Sequence, residues 1–167
     1  KDDGSNIKLI LTEILSKFCE QNDFDLKMVS QGETDVFEIE GKKIFTMGGG
    51  ESPDIEIRFE MNTWSEMEIP TRDELVEGVD NLQKYGGKVD IIITHEPPAK
   101  IKEFLLLQRD SVTGITAINT YLEDVGKSCE FEHWYFGSLH LDKVISKTHI
   151  SVFNNIFNAA TGEEIKK

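Results

Sequence analysis

The 167-residue chain is long enough for one domain with a buried core, and a composition of 38% hydrophobic and 29% charged residues is that of a globular protein. A net charge of −13 argues against a protein that grips nucleic acid through its phosphates, because such binding rests on Lys and Arg. No apolar run approaches the ~20 residues that span a bilayer, so no membrane segment is expected.

Cys19 and Cys129 are too few for a disulfide framework, which points to a reducing compartment and a cytoplasmic location. No signal-peptide pattern is present, and the absence of an initial methionine suggests an excised or processed fragment.

In chain order, Ile7, Ile10, Leu11, Ile14, Leu15 and Phe18 recur at helical spacing and predict an amphipathic helix with Cys19 on its apolar face. "VFEIEGKKIFTM" reads as two strands joined at Gly41-Lys42, a hairpin with glycine at its turn. "GGGESPD" follows as a loop. "TRDE" at 71–74 is a capping box that opens a helix carrying Leu75, Val79 and Leu82 and ending at Gly86-Gly87. "VDIIITH" is an apolar, β-branched run of the kind covered on both faces of a sheet, and Pro97-Pro98 ends it. Helices are expected at 100–108 and 114–125. "FEHWYF" and "THISVFNNIF" read as closing strands, and the Lys- and Glu-rich stretch 160–167 as a frayed tail. With no internal repeat, low-complexity tract or linker, residues 1–167 read as one α/β domain or part of one.

The chemical signal lies in two histidines. His95 ends "DIIITH" and His140 follows "WYFG", so both can reach one site if their strands are neighbours. Imidazole is a good ligand for zinc, iron and other transition metals at neutral pH. A histidine beyond a strand also serves as a hydrogen-bonded loop residue, so position alone does not decide between the two roles.

"VDIIITHEPP" and "WYFGSLHLD", in that order, resemble the last two motifs of the calcineurin-like metallophosphoesterases. In that family a strand ends in Thr-His or Gly-His, and Gly-His-x-His follows an aromatic strand. Upstream, "EIEGKKIFTMGGGESPD", a Trp and "EIP" at 68–70 are similar to a bacterial branch of the family, and "SVFNNIFNA" resembles its closing strand. The resemblance covers roughly 29–159 and implies the C-terminal half of the family's β-sandwich, a mixed sheet flanked by helices. It implies His95 and His140 as ligands of divalent transition metal ions (manganese, iron or zinc) in the hydrolysis of a phosphate mono- or diester. An acidic chain is compatible with such a substrate, because bound metals supply the positive charge locally.

The same resemblance marks what is absent. The family's N-terminal half brings an Asp-x-His pair, a bridging aspartate and an Asn-His pair. None of these motifs precedes residue 95 here, and "NDFD" at 22–25 lacks a histidine. Ser138 stands where the family has the first histidine of Gly-His-x-His, so the dinuclear site reads as incomplete and the chain as weak or inactive alone. Two further readings stay open: a non-catalytic protein-binding module on this fold, and a mononuclear zinc site using His95, His140 and Asp142. A half-sandwich is also expected to self-associate through the apolar faces of "IIIT" and "SVFNNIF".

Other residues carry plainer expectations. His133 and His149 read as structural or surface histidines, and Glu96 as solvated. Gly48, Gly49 and Gly50 fit a tight turn better than a phosphate loop, lacking the Gly-Lys-Ser ending. Asp54 and Arg58 fall in the family's loop near the active-site rim, where Arg58 is a candidate for a bidentate phosphate contact. Trp64 and Glu68 read as structural.

Overall fold

A computed structural model describes residues 26–28, 34–51, 55–107 and 114–166. The expected helix around 7–18, with Cys19, the "NDFD" stretch and Asp54 lie outside these residues. The first described strands are β1 (Leu26–Met28), β2 (Thr34–Ile39) and β3 (Lys42–Met47). The turn between β2 and β3 is Glu40-Gly41, one residue earlier than expected, with φ of 50° and 75°. Two successive positive φ values match the twist of a two-residue hairpin and set Ile39 opposite Lys42.

A short helix α1 (Ile55–Glu60) and a single 3-10 turn (Glu66–Glu68) lead to α2 (Arg72–Lys84). The capping box is formed: the Thr71 hydroxyl accepts from the Glu74 amide, and the Glu74 carboxylate accepts from the Thr71 amide. At its far end the Gly87 amide returns to the Leu82 carbonyl. Next come β4 (Ile91–Thr94), α3 (Ala99–Leu106), α4 (Ala117–Ser128), β5 (His133–Phe136), β6 (Lys143–Val144) and β7 (His149–Ser151).

The strands form one mixed sheet in the order β1-β2-β3-β4-β5-β7-β6. The central strands β3, β4, β5 and β7 are parallel neighbours, and antiparallel pairs flank them on both sides. The parallel joins β3 to β4 and β4 to β5 each need a crossover, which the helices provide. The α/β class with a mixed sheet is therefore the observed architecture.

Strand alternation gives the sheet two different faces. Phe45, Met47, Ile92, Trp134 and Phe136 point to a core shared with Leu82 of α2, Leu105 of α3, and Ile118, Leu122 and Val125 of α4. The other face carries a smaller cluster of Ile91, Tyr135 and Ile150, packed by Ile44, Val152 and Phe157. Cover on both faces, expected for "VDIIITH", fails at Ile93, which is 42% exposed.

The expectation of a frayed tail is corrected through Ile165. The Phe157 and Glu164 segments bridge antiparallel, and the Ile165 amide donates to the Ile156 carbonyl at 2.8 Å. The Tyr135 hydroxyl holds this return by donating to the Ala159 carbonyl at 2.9 Å. The segment supplies apolar cover, chiefly Phe157, to the sheet face opposite α2, α3 and α4.

Candidate functional site

In open α/β sheets, sites gather beyond the carboxyl ends of the parallel strands. There β4 and β5 lie side by side, with Thr94 opposite Phe136. The His95 amide donates to the Met47 carbonyl at the end of β3 (3.2 Å). Its carbonyl accepts from the Gly137 and Ser138 amides at 3.1 and 3.0 Å. The backbone of His95 thus ties three strand ends together while its side chain stays exposed. His140 follows in the turn after β5, its amide donating to the Gly137 carbonyl at 3.2 Å. Both histidines leave the sheet at the same end.

The loop after β3 approaches this point closely. A Cβ on Gly50 would fall 2.8 Å from Glu96 Cγ and 3.1 Å from His95 Cδ2. The Gly50 amide also donates to the Glu68 carbonyl at 2.9 Å. The "GGG", "EIP" and "HE" segments, far apart in sequence, therefore meet here. Arg58 does not face this loop as a free cation: its guanidinium forks onto Glu68 at 2.9 and 2.8 Å and donates to the Thr63 carbonyl.

Glu96 is the largest departure from expectation. It is 5% exposed rather than solvated. Lys102 of α3 donates to its carboxylate at 2.8 Å, and so does the Asn119 amide of α4. Lys102 also reaches Asn119 Oδ1 at 3.0 Å, and Asn119 Nδ2 holds the Pro97 carbonyl at 2.9 Å. From the sheet side, Trp134 Nε1 donates to Thr94 Oγ1, which donates to the Glu96 carbonyl at 2.6 Å. The bonds that end on Glu96 and Pro97 fix the turn that follows His95. Sequence reasoning missed Lys102 and Asn119. A faint signal existed: Lys102 lies between Ile101 and Leu105, and Thr116 and Asn119 have capping-box spacing, which the structure uses.

Asp142, weighed as a third ligand, has its carboxylate committed elsewhere. Oδ1 accepts the amides of Phe153 (2.7 Å), Asn154 and Asn155 (3.1 Å each), and Oδ2 accepts that of Asn154 at 3.0 Å. Loss of water raises the carboxyl pKa, and the Asn154, Phe153 and Asn155 amides outweigh it, so the pKa lies below the usual carboxylate range. Ser138 Oγ is buried with no hydrogen-bond partner. Among the described residues no group of three or more His, Cys, Asp or Glu side chains could hold a metal ion.

The remaining histidines lie away from this edge. His149 stacks on Trp134 at 5.6 Å and meets Phe131 edge-on at 5.7 Å. Burial lowers its pKa, with the Glu123 charge opposing. His133 Nδ1 is buried without a partner, beneath Gly162. On the sheet face opposite α2, α3 and α4, a groove of about 370 Å³ runs beside His95 between Ile93, Tyr135, Val152 and Phe157.

These elements define a mixed α/β sheet, helices packed on one face, with its candidate site beyond the carboxyl ends of parallel strands. No family model, no curated protein and no solved structure matches this chain.

Proposed function

We propose that this chain is the C-terminal half of a calcineurin-like metallophosphoesterase, a contributor of His95 and His140 to a site for phosphate mono- or diester hydrolysis, and that alone it has no working centre. What supports the reading is the parallel pairing of β4 with β5, which sends the residues after both strands off one end of the sheet. The donor set argues against turnover by the chain alone. Ser138 offers a neutral hydroxyl, and Asp142 is spent on backbone amides. The divalent metals implied by the resemblance would need donors from outside the described residues.

The test pairs calorimetry, with manganese and with zinc, to a phosphodiesterase assay on an aryl diester. The native chain should stay at background turnover, and Ser138→His should bind metal more tightly, because it restores an imidazole. Native turnover that His95→Ala abolishes would overturn the inactive reading. Equal metal binding by both forms would overturn the parentage.

A second reading, a non-catalytic protein-binding module, is favoured by one observation. The groove beside His95 is apolar, and Ile93 within it is 42% exposed. Such a module would associate through this face, with a second copy or with a partner protein. Light scattering from a strict monomer that Ile93→Glu leaves unchanged would count against self-association.

A further inference from the structure

We infer that Asp142 is a positioning residue for the His140 imidazole and acts on it through Phe153. The inference rests on the reading above, in which His140 is the functional group, and assigns what holds that group in place.

Among the described residues, the ring contact of His140 is what can orient its imidazole. Its backbone takes a φ of 48°, a left-handed conformation uncommon outside glycine though less so for Asn, Asp and His, and its side chain is exposed. The ring contact it makes is with Phe153, whose ring stacks on the imidazole at 4.9 Å and 27°. Phe153 is itself 52% exposed, so core packing does not fix the stack from the other side.

What fixes it is the chain at Phe153. Asp142, two residues beyond His140, takes the amide of Phe153 on Oδ1 at 2.7 Å, and the amides of Asn154 and Asn155 next to it. Bonds from N–H groups to a carboxylate are shorter and stronger than neutral ones. One carboxylate therefore ties the strand-end turn carrying His140 to the segment carrying its stacking partner. With both oxygens occupied, Asp142 acts as a clip and not as a ligand.

The test reads the histidine ring protons by NMR, with His140 assigned through His140→Gln. Phe153 should shift the His140 ring protons upfield. Phe153→Leu removes that shift, Asp142→Ala removes most of it, and Asp142→Asn, which keeps an acceptor oxygen, retains it. If Asp142→Ala lowers the melting temperature yet leaves the His140 resonances unmoved, Asp142 is a loop clip only and the inference is overturned. Should that variant not fold, Phe153→Leu carries the test: His140 ring protons unmoved by it would remove the stack through which Asp142 acts and overturn the inference equally. Zinc added to the native protein asks a separate question. Ring protons of His140 that ignore zinc while the variants behave as stated would defeat the metal reading and leave the positioning role standing.

Discussion

The Lys102 ammonium lies 2.8 Å from the Glu96 carboxylate, with the two side chains only 4% and 6% exposed. A buried ion pair is costly to desolvate, and its net worth against an apolar pair is small. Breaking it from one side is a different matter, because a charge is then left without its partner. Lys102→Met should destabilise by about 3–5 kcal/mol in urea unfolding. Glu96→Gln with Lys102→Met should recover most of that loss, since the glutamine oxygen still accepts from Asn119 Nδ2. Equal stability of the single and double variants would show that the two groups are not coupled.

Gly50 reports on the same corner from the sheet side. A Cβ there would come 2.8 Å from Glu96 Cγ, an atom that cannot swing away without breaking the buried network. Gly50→Ala should therefore cost about 1–3 kcal/mol, the usual range for overpacking. Gly48, with nothing within 4 Å of its notional Cβ, is the control. Gly48→Ala should stay within about 0.5 kcal/mol of native. Similar losses at both glycines would mean that backbone freedom, not crowding, is what the loop needs.

Local grammar in the sequence located most of the elements. "TRDE" begins α2, the glycine at 41 marks the hairpin within one residue, and Pro97-Pro98 separates β4 from α3. The condition placed on His95 and His140, that their strands be neighbours, is met by β4 and β5. Glu96 was misread because its partners sit 6 and 23 residues away on two different helices. Neither helix reveals by its periodicity that a polar residue is turned inward. The role of Asp142 is not legible in the sequence for the same reason, its amide donors being 11 to 13 residues downstream. The tail was read as frayed from its charge, whereas Phe157, just before it, anchors it on the sheet face opposite α2, α3 and α4.

His149 gives the fold a dependence on pH. Burial between Trp134 and Phe131 lowers its pKa from the ordinary 6.5, and the unfolded chain keeps the ordinary value. Below about 6.5 the unfolded state then binds the extra proton, so stability falls with falling pH until the folded pKa is passed. Thermal unfolding between pH 7.5 and 5 should show this slope, and His149→Phe, which keeps the stacking ring, should flatten it. A native slope retained in that variant would assign the effect to other groups.

Thr94 joins the core to the His95 turn through one hydroxyl. It accepts from Trp134 Nε1 at 2.8 Å and donates to the Glu96 carbonyl at 2.6 Å. Thr94 is 5% exposed and Trp134 fully buried, so water cannot easily replace either bond. Thr94→Val keeps the shape but strands a buried N–H and leaves the Glu96 carbonyl without this donor. An unsatisfied buried group costs about 1–3 kcal/mol, so the variant should lose at least that much. Thr94→Ser keeps the hydroxyl and should lose less, chiefly the methyl packing. Hydrogen exchange separates the two effects in space. In Thr94→Val the amide of His95, bonded to Met47, should exchange faster relative to the amides of α2, which is remote from the change. Uniform acceleration across both would mean that the hydroxyl serves global stability and not the geometry of the turn.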